Sequence, residues 1–433
     1  MNIGIVGGGI AGLTAAYRLS GAGHKVTIFE TDLQLGGLAQ GFSLAGSRLD
    51  RFYRHIFTSD LDIIKLVDEL GLTEKLWWVD SKVGFFYNGK IYKFTTPLDL
   101  MMFSPLSIIS RIKLGFMSLY LKGVKDWAKY EKITVKDWIE KYVGKKVYKI
   151  VWGSLLEQKF GDKAKDIAMA WLYGRIRARF ASRENGGMKE VLGYMLDGFQ
   201  TLVDELESIL MSRKVAILKG VAVNKVFIQN GVATGLEARG RNYTFDKIII
   251  TCAPALVKHM VEFPDKDYME RLGKIQYYGA LNLVMAVKKS LSKIYWLNMG
   301  DRQSPFVACV EHTNFIPKEH YNNNVIIYLG KYLSTEDALY KAPSEEIKEI
   351  FFDYLKKMNK AFDPADVIEW RVFREPFSQP VVEKEFSKIK LDYKTPARNL
   401  YLANMSQVYP EDRGMSYSIK IANEVSNLIM TEK

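Results

Sequence analysis

The sequence predicts an α/β fold: a domain built around a parallel sheet, with enough chain for a second domain. Three observations predict it. The chain opens with an apolar run, Ile3 to Val6, followed by Gly7, Gly9 and Gly12 in the order G-x-G-x-x-G. Ile10 to Leu19 then has helical spacing, and Val26 to Phe29 is a second apolar run ending at Glu30. Strand, glycine turn, helix, strand and acid follow one another as in a Rossmann-like unit. Finally, 433 residues are too many for one average domain and enough for two sizeable cores.

The glycine pattern has a physical reading. The first glycine allows the tight turn, the second lets the backbone approach a pyrophosphate, and the third lets helix and strand pack closely. The helix N-terminus then offers free N–H groups and a positive dipole end to phosphates. Glu30 lies about 20 residues on, where an acid hydrogen-bonds a ribose hydroxyl.

Composition narrows the class. Hydrophobic residues make up 48% and charged residues 25%, which excludes a disordered chain. Lys and Arg total 61 against 49 Asp and Glu, a net charge of +12. Such an excess suits an acidic ligand or an anionic membrane surface, and much of it is ordinary solvated surface. No nucleic-acid motif accompanies it. Cys252 and Cys309 are the two cysteines, and no C-x-x-C exists for a redox disulfide or a zinc site. The first strand begins at Ile3, which leaves no room for a signal peptide, so a cytoplasmic location is expected. One G-x-G-x-x-G argues against a second nucleotide domain for NAD(P)H.

Gly36 and Gly37 follow Glu30 as E-x5-G-G. This resembles the second glycine pair of the flavoprotein family that holds amine oxidases, protoporphyrinogen oxidase, phytoene desaturases and UDP-galactopyranose mutase. The resemblance implies FAD, with the pair lying close to its phosphate and ribitol. The family usually has an arginine next, at a position that helps hold the flavin side; this chain has Leu38. Near the other end, Asn399 to Asn404 reads as the last strand, and Gly414, Met415 and Ser416 open a helix running to about Ile429. This resembles the family's C-terminal flavin motif, whose helix N-terminus stabilises negative charge on reduced flavin. The motif here has no cysteine or histidine, so the FAD is expected to be non-covalent. The resemblance also implies a backbone contact from Val223 to adenine.

The resemblance divides the chain. A discontinuous Rossmann-like FAD-binding domain is expected from 1–85, 193–265 and 393–433, and a mixed α+β substrate domain from 86–192 and 266–392. The active site would lie where they meet.

Four residues are catalytic candidates. Asp50 to Asp60 is dense in polar and aromatic groups, and it resembles a mutase-family segment in which a histidine lies close to the flavin; His55 is the matching residue. Alone, His55 would read as a hydrogen-bonded loop histidine. Arg175, Arg177 and Arg179 recur every second residue in WLYGRIRARF. On a strand they would share a face, and on a helix they would scatter. The stretch resembles a mutase-family segment whose arginine holds a substrate diphosphate, which suits the planar guanidinium. A solvated basic edge is the alternative. His312 follows a strand end, where ligand-facing groups and ordinary turn caps both occur.

The remaining elements follow from local pattern. Leu61 to Leu70 is an amphipathic helix stopped by Gly71, and Asn88-Gly89 closes a hairpin between Val83–Tyr87 and Lys90–Phe94. Thr134 and Ser344 are candidate N-caps. The stretch 97–123 is strongly apolar, but Pro105, Arg111 and Lys113 leave it short of the roughly 20 residues a spanning helix needs. It can pack as a core or pocket helix. It can also lie at a membrane interface, with Ile108, Ile109, Ile112, Phe116 and Leu119 inward.

The resemblance implies an FAD-dependent oxidoreductase that takes a hydride from a small-molecule substrate at flavin N5. The alternative is a flavin-dependent, non-redox isomerase acting on a sugar nucleotide, motivated by His55 and the arginines. A flavin-binding protein with a structural or membrane-carrier role is a third reading. The substrate would be a small molecule, anionic or a sugar nucleotide; the oligomeric state is not readable.

Overall fold

The computed structural model describes residues 1–182 and 190–432. A five-stranded sheet carries the glycine motif. Its strands run Ala216–Lys219, Lys25–Glu30, Asn2–Val6, Lys247–Ile250 and Leu400–Leu402, and every neighbouring pair is parallel. Ile3, Ile5, Ile28, Ile248, Ile249 and Ile250 are fully buried. That is why these strands read as continuous apolar runs: helices and further chain cover both faces. The first helix, Ile10–Gly21, packs on the Gln200–Ser212 helix and on the closing helix, Met415–Thr431. The two candidate cofactor helices are therefore neighbours.

The first turn depends on close approach. Gly7 has φ +108°, in the left-handed half of the map. A Cβ on Gly12 would lie 1.9 Å from the Gly7 carbonyl oxygen. Only glycine lets the helix begin so close to its strand.

A seven-stranded mixed sheet forms the second layer. Its order is Val367–Pro380, Tyr277–Val287, Val325–Leu333, Ala308–Glu311, Trp296–Met299, Val83–Tyr87 and Lys90–Lys93. One pair, Trp296–Met299 with Val83–Tyr87, is parallel, and the others are antiparallel. Asn88 and Gly89 close the last hairpin with φ of +48° and +72°, the type I′ geometry their identity predicts.

Local chemistry sets the helices. Thr96 and Asp99 form a reciprocal capping box that starts the Pro97–Met102 helix. Ser107 caps the Ile108–Gly123 helix, and Thr134 caps Val135–Tyr142. The N-cap of the Ser344–Met358 helix is Pro343, so Ser344 is its first helical residue rather than its cap. The stretch 97–123 is thus two helices, and it packs by one side alone. Leu114, Met117 and Leu121 are buried, while Ile108, Ile109, Ile112, Phe116 and Leu119 face out.

The arginine run lies on the Met169–Ala181 helix, so Arg175 and Arg177 point different ways. That helix rests against the chain that enters the closing helix. A Cβ on Gly174 would lie 2.4 Å from the Pro410 carbonyl oxygen. Gly174→Ala should therefore cost about 1–3 kcal/mol by overpacking, read as a lower midpoint in urea denaturation. An unchanged midpoint would show that this contact yields freely.

Candidate active site

Two glycine turns meet back to back. Gly9 and Gly36 pair as a parallel bridge, and the Gly36 amide donates to the Gly8 carbonyl at 2.9 Å. Gly36 and Gly37 both have positive φ, +118° and +53°. Glu30 reaches over the first turn: Oε2 accepts from the Gly8 amide at 2.6 Å, and Oε1 from the Asp32 amide at 2.8 Å. No side chain caps the first helix at Gly9, so its leading N–H groups remain available. The Val221 amide bonds the Glu30 carbonyl at 2.8 Å, which starts the Val223–Gln229 strand beside this turn.

Gly9 supplies a fit test for a cofactor. The atoms nearest a Cβ there are the Gly36 carbonyl oxygen and the Gly37 Cα, both 3.9 Å away. Polypeptide packing thus has room for a side chain at Gly9, unlike at Gly12. A bare backbone cradle beside uncapped N–H groups and an acid fits a dinucleotide.

The closing helix borders a cavity of about 230 Å³. Gly414 and Met415 line it, and Gly414 caps the helix without a side-chain hydrogen bond. Aromatic walls come from Tyr53, Trp296, Tyr332 and Tyr417. Six cationic side chains line it, Arg54, Lys159, Arg175, Arg179, Lys331 and Arg413, against two carboxylates, Asp60 and Asp412.

The charges are unevenly paired. Asp412 takes Lys159 Nζ at 2.8 Å, the Arg175 guanidinium, and Trp171 Nε1 at 3.1 Å. Burial alone would raise the Asp412 carboxyl, but Lys159 and Arg175 hold it far below the usual range. Lys159 is buried, and that burial pulls its amine down to about 7 despite Asp412. Arg413 spends its donors on neutral partners, Gln379 Oε1 at 3.0 Å and Tyr332 Oη at 2.7 Å. The buried Arg54 Nε has no partner. Asp60 takes the Phe57 amide at 2.8 Å, and burial raises its carboxyl to about 6. With Arg179 left aside and Arg54 facing the Asp50 carboxylate, Lys331 and Arg413 still outnumber Asp60, so the lining carries a surplus of positive charge.

Leu38, His55 and Arg175 line this cavity together with Gly414 and Met415. His55 Nδ1 and Tyr295 Oη hydrogen-bond at 3.1 Å, and Phe57 and Trp296 pack on the ring. Burial lowers its pKa to about 4, so the ring is neutral at ordinary pH. Gly7, Gly9, Gly12, Glu30, Gly36 and Gly37 converge on the dinucleotide turn described above. Three sequence candidates lie off the cavity. Arg177 turns away and donates to Tyr173 Oη at 3.1 Å. His312 is a core residue bonded to Tyr321 Oη at 2.6 Å and packed on Tyr194. Ser416 Oγ accepts from the Ile63 amide at 3.4 Å. Arg54, Lys159, Lys331, Asp412 and Arg413 escaped the sequence reading. Asp412-Arg413, directly before Gly414, carried the available signal: charged residues at the mouth of a candidate cofactor helix.

Comparison with known proteins agrees with this architecture. The family model for flavin containing amine oxidoreductase matches residues 10–410. The chain belongs to this family. Its class is that of FAD-dependent oxidoreductases, with FAD as the cofactor. Protoporphyrinogen oxidase 2 of Arabidopsis thaliana is 30% identical over 115 residues, covering 26% of this chain and 23% of that protein. The matched region thus spans about a quarter of the plant oxidase's length. An L-amino-acid oxidase of Siganus canaliculatus is 24% identical over 398 residues, covering 82% of this chain and 70% of that protein. In fold, the chain is similar to a putrescine oxidase variant, with TM-score 0.79, 13% identity, and coverage of 100% and 99%. It is also similar to reduced UDP-galactopyranose mutase, with TM-score 0.77, 15% identity, and coverage of 100% and 96%.

Two outcomes follow. Gly9→Ala should leave the polypeptide folded yet weaken FAD retention by at least tenfold, whereas Gly12→Ala should also lower thermal stability; equal behaviour of the two would contradict the distinction. The second concerns pH. His55 has a folded pKa of about 4, below the ordinary value of 6.5. As pH falls, the unfolded chain takes up this proton first, so the stability is present above pH 6.5 and lost toward pH 4. His55→Gln should flatten the stability–pH slope in that window, by at most about 1.4 kcal/mol per pH unit. Denaturation at several pH values checks it, and an unaltered slope would refute it.

Proposed function

We propose that the protein oxidises an anionic small molecule, transferring a hydride from a substrate carbon to FAD. The observation that carries this reading is the cavity's cationic lining, set beside the uncapped N-terminus of the closing helix. FAD would be held non-covalently by segments 1–85, 193–265 and 393–433, with Gly9, Gly36, Gly37 and Glu30 at its dinucleotide part and Gly414 and Met415 at its ring. Bound FAD supplies the hydride acceptor, at flavin N5.

This chain's residues do the rest. Arg54, Lys331 and Arg413 hold the substrate anion, because none of them is hydrogen-bonded to a carboxylate of the cavity, although the Asp50 carboxylate shares the charge of Arg54. Arg175 and Lys159 line the same cavity and are fixed by Asp412. An amine substrate would enter as a cation among cations, which the same field opposes. Tyr53, Trp296 and Tyr332 orient the apolar part and exclude water. His55, neutral and pinned by Tyr295, offers a hydrogen bond without adding charge. Lys159 Nζ, pulled down to about 7 by burial, holds or releases a proton near neutral pH.

A second reading rests on the same cationic wall, since a diphosphate fits it as well as a carboxylate does. Under it, the enzyme is a non-redox sugar-nucleotide isomerase that needs reduced flavin.

Anaerobic mixing of the holoenzyme with carboxylates, phosphates and amines separates the readings. Loss of oxidised-flavin absorbance with an anionic compound, and with no amine, is expected. Arg54→Gln and Arg413→Gln should each weaken that substrate about 10- to 100-fold, the worth of one charge-assisted hydrogen bond. Reduction by amines alone would overturn the proposal. Binding of UDP-sugars without flavin reduction, and turnover after chemical reduction alone, would favour the isomerase. A purified protein that binds no FAD would end both.

A further inference from the structure

The Ile108–Gly123 helix is apolar on two opposite sides. One side, with Leu114, Met117 and Leu121, is buried against the protein and meets the Met169–Ala181 helix. The other has no cover. Leu98, Met102, Ile108, Ile109, Phe116 and Leu119 are 58–68% exposed, and all lie on this helix or the short helix before it. Elsewhere among the described residues, exposed large apolar side chains are mostly scattered singly. A soluble helix keeps one apolar face; a second one concentrated on adjoining helices marks a surface that meets something apolar.

Charge selects the partner. At about 100° per residue, Ile108, Ile109, Ile112, Phe116 and Leu119 form one stripe. Lys113 lies along one flank and Lys122 along the other, both exposed. The helix contains no Asp or Glu. Arg111 donates to the Met101 carbonyl of the preceding helix at 2.6 Å and to the Leu106 carbonyl of the connection at 2.8 Å, which ties the two helices into one platform. Lys90 and Lys93 sit exposed on the hairpin strand that packs beside it. A second copy of the chain on this face would bring like-charged rims together across a two-fold axis, which opposes self-association. Among the described residues no helix is long and apolar enough to cross a membrane.

We infer that this platform binds the surface of an anionic lipid bilayer, its apolar stripe entering the headgroup boundary and its lysines meeting lipid phosphates. The docking face and the cavity are mechanically continuous. The Met169–Ala181 helix that carries Arg175 to the cavity also receives the platform, and Tyr173 Oη donates to the Val124 carbonyl at 2.8 Å just past the platform's end.

Cosedimentation of the holoenzyme with vesicles tests this. Vesicles of phosphatidylcholine mixed with phosphatidylglycerol should capture the wild type, increasingly so at low salt, and phosphatidylcholine alone should capture much less. The double variant Ile109→Ser with Phe116→Ser should bind the anionic vesicles at least tenfold more weakly. Lys113→Glu with Lys122→Glu should also lose the preference for phosphatidylglycerol. All four positions are exposed, and retained flavin absorbance reports that each variant is folded. The inference fails if wild type binds neither vesicle, binds both equally, or is matched by the serine variant. It also fails if sedimentation shows a dimer that the serine variant dissolves.

Discussion

The partly buried carboxylate of Asp412 ties the substrate-side helices to the end of the chain. It receives Lys159, Arg175 and Trp171, which come from two consecutive helices of the middle region. It stands two residues before Gly414, the N-cap of the closing helix. Without that carboxylate, Lys159 would lose the charge that keeps its amine as high as about 7 and would shed its proton, and Arg175 would lose its acidic partner. Its position therefore fixes where the helix N-terminus points and which cations are left over. Lys331 and Arg413 make no carboxylate hydrogen bond, with Asp412 committed to Lys159 and Arg175, while Arg54 has the Asp50 carboxylate nearby.

Backbone donors left without a side-chain cap recur at Gly9 and at Gly414. At Gly9 the helix begins with no side-chain cap and with a glycine that packing does not require. At Gly414 a second helix begins in the same way beside the cavity. The two helices pack on one another, so one rigid unit presents both N-termini. Negative charge can be met at the phosphates by the first helix and near the ring by the second.

Much of this was legible in the sequence where a local rule governs the outcome. Gly7, Gly12, Glu30 and the Asn88-Gly89 turn sit where short-range geometry demands them. The closing helix was legible because the stretch opened by Gly414, Met415 and Ser416 resembles the family's C-terminal flavin motif. The arginine spacing was less informative, because alternation predicts a shared face on a strand while the surrounding residues build a helix. His312 looked ligand-facing from its place after a strand; packing against Tyr194 and Tyr321 turned it into the core instead. Arg54, Lys159 and Asp412 could not be grouped from sequence, since their proximity depends on how distant segments pack. The outward stripe of the Ile108–Gly123 helix was visible as apolar sequence, but its exposure depends on which side meets Tyr173 and its helix.

The most direct test of the cationic cavity is a crystal structure of the oxidised holoenzyme soaked with pyrophosphate. The account places the anion between Arg54, Lys331 and Arg413, beside the flavin and in front of the Gly414 helix terminus. Pyrophosphate bound elsewhere while this cavity stays free of anion, or FAD phosphates themselves occupying these three side chains, would contradict it.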